Sequence, residues 1–353
     1  MQPIRLGPNQ PAARPYLGGA GIRAFRGEGS TAPDSPEDFV ASTTTVFGDD
    51  HVGLSMLPDG RTLREAVASD PEGWLGAAHV SRFGAETGLL VKLLHTGQRL
   101  FNHVHPDDAF AQTRLGAPRG KTEAWFIVDT GEAPTATVWL GFAHEVAAAQ
   151  LRDWFERQDA AAMLAAMTEL TVRAGDWVYV PAGTPHAIGP GITLVELQQP
   201  TDLSLILEYA GFPALDRAGA LLGLSPEVAL AAVDTAPLGP ENAAQLHGRV
   251  ADAGRSTLFP PAAQRFFRAE HLVVEGAAEI PAGFGVVVVL EGAGRLRWGG
   301  GGGAGGGGSA GGGGADGADL AISRGETFVV PHGAGALEIA GQLRLIHAAP
   351  PAA

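Results

Sequence analysis

The sequence has no cysteine, which excludes disulfides, thiolate nucleophiles and sulfur-ligated metal sites. Any bound metal must be held by His, Asp or Glu. No stretch reaches the roughly 18 consecutive apolar residues needed to cross a bilayer. The first residues, Met1–Gly19, place no apolar segment behind their charges, so neither a membrane nor a secretory leader is expected, and the cytoplasm is the expected compartment. Basic residues are scarce: 24 Lys and Arg stand against 38 Asp and Glu, a net charge of −14. That balance argues against nucleic-acid partners, which need basic patches to displace counterions. Hydrophobic residues, by contrast, make up 45% of the 353 positions. This is ample for the cores of about two domains and excludes wholesale disorder.

Helical periodicity is also rare. Leu63–Ala68 fits one short helix, His144–Leu170 a longer helical stretch, and Ala214–Val233 two short helices with Ser225 as the cap of the second. Elsewhere short apolar or alternating runs are bounded by Gly, Pro and Asp: Gly88–Leu94, Ala124–Val128, Thr135–Leu140, Trp177–Val180, Ile192–Leu197, Leu203–Leu207, Val286–Leu290 and Thr327–Val330. Many short strands with turn signals between them predict a mainly β fold of sandwich or barrel type.

The chain repeats itself. Leu170–Gly183 aligns with Leu320–Gly333 at an offset of 150, with five identities, and each copy reads strand, Gly-acid turn, strand, Pro-x-Gly. Two copies of one β-domain are therefore expected. The expected division is a first domain over 1–210 with a helical insert at about 142–170, a helical connector over 211–246, and a second domain over 247–353. Glycine fills 13 of the 16 positions from Gly299 to Gly314. A run with no side chains to bury predicts a disordered loop over 299–317 rather than a phosphate cradle, since no Lys-Ser/Thr and no helix follow.

Of the 11 histidines, three stand in telling places. His103 and His105 are two apart, so on a strand both rings point to one face. Glu123 opens an apolar strand, and His186 closes Val180-Pro-Ala-Gly-Thr-Pro-His186, where a turn delivers it to a strand end. Three imidazoles and a carboxylate suit a divalent transition metal with positions left for water or substrate.

His-x-His, then Glu, then a distant His on β-strands resembles the metal set of the cupins. The longer strings Val104-His-Pro-Asp-Asp108, Lys121-Thr-Glu-Ala-Trp125, Val180–Gly189 and Glu196-Leu-Gln-Gln-Pro-Thr-Asp202 are together similar to the class I mannose-6-phosphate isomerase family. The 17 residues between His105 and Glu123 and the helical insert agree with it. The resemblance implies a bicupin of two double-stranded β-helix (jelly-roll) barrels with helical inserts. It implies one Zn2+ held by His103, His105, Glu123 and His186, and a reaction that moves a proton between C1 and C2 of a sugar phosphate through an enediol. Mannose 6-phosphate and fructose 6-phosphate are the pair it implies. Lys121 and Glu196 are the acid/base candidates, Asp202 and Arg99 the candidate sugar contacts, and the expected state is monomer or homodimer. The second repeat places Ala336 where the first has His186, so its domain is expected to hold no such metal.

The chain also departs from that family. His103 replaces the usual Gln, which leaves iron, manganese or nickel open beside zinc. Phe101 and Ile206 stand where the family carries a Ser and an Arg associated with the phosphate end of the substrate. Phosphate would then fall to Lys92, Arg99, Arg114 or Arg119, or the substrate would be an unphosphorylated or different sugar. Two other classes remain open from the sequence: a metal cupin oxygenase, suggested by His103, and a non-catalytic sugar-binding cupin.

Overall fold

The computed structural model describes residues 1–299 and 318–353, so the glycine run expected to be disordered lies outside the described residues apart from Gly299. Its described strands form three antiparallel sheets. The central six-stranded sheet runs in the order His247–Arg249, Asp176–Val180, Glu123–Asp129, Thr193–Gln198, Leu90–His95, Glu37–Val40. A five-stranded sheet of Leu205–Ile206, His103–Val104, His186–Ile188, Ala136–Phe142 and Met167–Val172 packs on one of its faces. The other face meets a seven-stranded sheet built mainly from the long strands Arg268–Ile280, Gly285–Trp298 and Leu337–Ala349.

The alternation of the central strands explains the layering. In Glu123–Asp129, Trp125 and Ile127 enter the core shared with the five-stranded sheet, while Ala124 and Phe126 enter the core shared with the seven-stranded sheet. Both faces are buried, so these strands read as continuous apolar runs. The mainly β fold of cupin type predicted from the sequence is the fold observed. The two repeated strings adopt the same geometry: Gly175 and Gly325 turn at φ of 87° and 86°, each between two strands.

Two readings shift. The helical stretch 144–170 is two helices, Ala148–Arg157 and Ala160–Ala165, and its end is the strand Met167–Val172. Thr168 and Thr171 on that strand are better β than helix formers, and pairing with Ala136–Phe142 decides the matter. The division at 210 and 247 also does not follow the sheets. Ile4–Leu6 pairs with Thr327–Val330 in the seven-stranded sheet, and His247–Arg249 pairs with Asp176–Val180 in the central one. Each half thus lends a strand to the other. None of the described helices is long and apolar enough to cross a membrane.

Candidate active site

The sheets bring the predicted ligands together. His103 pairs with His186 across the five-stranded sheet, and the Cα partner of Ile206 is also His103. Two glycines set the approach of the remaining segments. A Cβ on Gly120 would lie 2.3 Å from the backbone of Pro106 and Asp107, so glycine lets this chain cross His105's strand end, where Lys121 N–H donates to the Pro106 carbonyl at 2.9 Å. Gly183, at φ 87°, donates its N–H to the His105 carbonyl at 2.8 Å and turns the chain toward His186.

His103, His105 and His186 are buried, and their candidate ligand atoms lie within 4.8 Å of one another. Each ring sets its Nδ1 against a carbonyl oxygen: Phe101 at 3.0 Å, Leu203 at 2.8 Å and Thr184 at 2.8 Å, respectively. A carbonyl only accepts, so each Nδ1 carries the proton and each Nε2 is the ring nitrogen turned inward. Burial holds His103 well below the usual histidine range and brings His105 down to about 3, so both are neutral at physiological pH. Glu123 Oε2 then lies 2.9 Å from His105 Nε2, and its Oε1 lies 3.3 Å from His186 Nε2. With His105 neutral, its Nε2 and Glu123 Oε2 are both acceptors. His105 Nε2 and His186 Nε2 are buried with no hydrogen-bonding partner among the described residues, and the Glu123 carboxylate lies against both. Such a donor set fits a divalent cation, which would satisfy all of them at once.

Beside the imidazoles, Lys121 Nζ sits 2.8 Å from Glu123 Oε2 and 3.0 Å from Glu196 Oε1. Lys121 lies just before the strand, yet it shares the inward face of Glu123 as expected. Trp125 Nε1 donates to Glu123 Oε1 at 2.8 Å and fixes the carboxylate. Burial works against the charge of Lys121, but the Glu123 and Glu196 carboxylates outweigh it and hold the ammonium above its ordinary range. Burial pushes Glu196 up to about 8, against the opposing pull of Lys121. A buried carboxyl that titrates near neutrality beside a permanent cation can take and return a proton.

Asp202 lines the same cavity, of about 140 Å³, as part of a buried ion-pair tetrad. Its oxygens accept from Arg14 at 3.1 and 3.2 Å and from Lys92 at 2.9 Å, while Glu37 accepts from Arg14 at 3.0 Å and Lys92 at 2.9 Å. Arg14, Tyr16 and Glu37 line the cavity and were missed in the sequence. They sit in a Pro-rich leading segment and on a four-residue strand, where no periodicity or motif marks them. Arg99 is not in the cavity lining. Its guanidinium forks onto Glu208 at 2.8 and 2.5 Å, so the structure gives it a carboxylate partner rather than the expected sugar contact. Arg119 pairs with Glu86 at 2.5 Å. Phe101 packs edge-on against His103, Tyr16 and Phe212 at 5.2, 6.0 and 5.1 Å, and with Ile206 makes an apolar wall.

No family model matches the chain. It is 35% identical over 155 residues to a mannose-6-phosphate isomerase of Streptococcus mutans, covering 42% of this chain and 45% of that protein. It is 30% identical over 210 residues to mannose-6-phosphate isomerase ManA of Bacillus subtilis, covering 59% and 63%. The chain thus spans about half the length of the first relative and under two thirds of the second. Among solved structures, the mannose 6-phosphate isomerase of Bacillus subtilis aligns over 99% of both chains with a TM-score of 0.73 and 23% identity. A variant phosphomannose isomerase of Salmonella typhimurium aligns over 99% of this chain and all of the other, at 0.71 and 15%. At these identities the structural likeness speaks for the fold.

Proposed function

We propose that this chain, a homologue of the mannose-6-phosphate isomerases and consistent with their class I family, is a metal-dependent aldose–ketose isomerase that interconverts mannose 6-phosphate and fructose 6-phosphate. The observation that supports it best is the row Glu196–Lys121–Glu123 running into three buried imidazoles. The cation, Zn2+ in this reading, is held by His103, His105, His186 and Glu123. When bound it polarises the sugar carbonyl and supplies positive charge next to the oxygen that becomes anionic.

The chain's own groups supply the proton transfer. Isomerisation takes a proton from C2 of the aldose, passes through an enediolate, and returns a proton to C1. Lys121, held as an ammonium, donates a hydrogen bond to the developing oxyanion. Glu196 carries the mobile proton, because its carboxyl is poised near neutrality. Asp202, braced by Arg14 and Lys92, faces the sugar hydroxyls. We place the enzyme in the cytoplasm as a monomer or homodimer.

The test is turnover of mannose 6-phosphate by the purified chain, with and without a chelator, alongside metal analysis. Turnover abolished by the chelator and restored by zinc supports the reading. Tightly bound iron with oxygen uptake and no isomerisation overturns it.

A further inference from the structure

Each of the three cations that face the active-site cavity is already ion-paired. Arg14 and Lys92 are paired with Glu37 and Asp202, and Lys121 with Glu123 and Glu196. The wall beside His103 is Phe101 and Ile206, which donate nothing. A phosphate dianion pressed against that wall would lose its water with no compensating donor. A sugar phosphate at this metal must send its phosphate elsewhere.

A second cavity of about 450 Å³ adjoins the first and shares Val46, Phe47 and Asp202 with it. It is lined by Thr43, Thr44, Thr45, Arg64 and Thr201, among others. Arg64 Nε donates to the Thr43 carbonyl at 2.9 Å, which ties the guanidinium to this cavity. Its terminal nitrogens have no carboxylate partner among the described residues, whereas Arg119, the other cation of the lining, is engaged by Glu86. The side-chain hydroxyls of Thr44, Thr45 and Thr201 likewise make no hydrogen bond among the described residues. One uncommitted guanidinium and three free hydroxyls lining the same cavity are a donor set for a tetrahedral oxyanion.

We infer that this second cavity is the phosphate subsite, in which Arg64, with Thr44, Thr45 and Thr201, binds the phosphate ester of the sugar whose carbonyl end lies at the histidines. The inference rests on the isomerase reading for its substrate but not for its anion. Ile206 leaves the wall beside the histidines without a donor, and Arg64 supplies one from the adjoining cavity.

The experiment uses the full metal-loaded chain, as wild type, Arg64→Gln and Thr45→Val. Steady-state rates are measured with mannose 6-phosphate and with mannose, and inorganic phosphate is titrated calorimetrically. Arg64 is exposed on a helix surface, and thermal melts check that each variant is folded. The expected result is that Arg64→Gln raises KM for mannose 6-phosphate about tenfold or more, with kcat much less affected, and weakens inorganic phosphate binding in parallel. Thr45→Val should do the same to a smaller degree. Unchanged KM and phosphate affinity in Arg64→Gln, or equal wild-type efficiency with mannose and mannose 6-phosphate, overturns the subsite and leaves the isomerase standing. If neither sugar is turned over, the isomerase reading falls. The titration then decides the subsite by itself: phosphate binding lost in Arg64→Gln upholds it, and binding unchanged overturns it.

Discussion

The ammonium of Lys121 lies 3.0 Å from the carboxylate of Glu196, and both side chains are almost fully enclosed. Each defines the other's charge, so neither can be removed quietly. Lys121→Met is expected to lower kcat/KM for the isomerisation by about 10²–10⁴-fold, the range for loss of a positioned acid–base or oxyanion partner. Glu196→Gln, which keeps the shape but cannot carry the proton, should fall in the same range while the metal content stays at wild-type level. Steady-state assays with elemental analysis of each variant check both. A Glu196→Gln enzyme with wild-type kcat would remove the carboxyl from the reaction.

Metal binding should register as stability. The buried Nε2 atoms of His105 and His186 have no hydrogen-bonding partner among the described residues and face the Glu123 carboxylate, so emptying the site leaves buried polar atoms unsatisfied. A chelator should lower the melting temperature and added zinc should restore it, by mass action on the folded state. His105→Ala should melt at a temperature that neither treatment moves. Differential scanning calorimetry reads the difference.

Gly120 is required by space alone. A methyl group there meets the backbone of Pro106 and Asp107 at 2.3 Å, and backbone cannot rotate away as a side chain can. Gly120→Ala should destabilise the protein by about 1–3 kcal/mol, the usual cost of overpacking. It should also lower metal affinity, because it parts His105 from Glu123. Denaturant melts and a metal titration measure the two effects; a variant as stable as wild type would mean the crossing can widen freely.

His271 ties stability to pH. It stacks on Phe126 at 5.8 Å and 21° between the central and seven-stranded sheets, with its Nδ1 buried and unpartnered among the described residues. Burial, helped by the positive charge of Arg344 and opposed by Asp252, lowers its pKa to about 4. The folded protein therefore resists a proton that the unfolded chain accepts from about pH 6.5 downward. This contribution is complete above that pH, declines as the pH falls toward about 4, and is level below it. His271→Phe should flatten the fall in stability across this window, read from urea melts at several pH values. An unchanged slope would assign the window to other groups.

The period-two apolar runs, the repeated Gly-acid turns and the spacing of the histidines and Glu123 are legible in the residues alone. Strand, turn and shared face are local properties, written in neighbouring residues. Tertiary structure alone decided which half each end strand joins, since pairing partners such as Ile4–Leu6 and Thr327–Val330 lie more than 300 positions apart. It turned the tail of the 144–170 helix into a strand, because a ladder partner outweighs weak helical preference. It also chose Arg14 and Glu37 as companions of Lys92 and Asp202, and gave Arg99 to Glu208. A charge in a sequence carries no record of which opposite charge will enclose it. Only the packed sheets, by excluding water around some groups and not others, settle which cations are spent and which stay free.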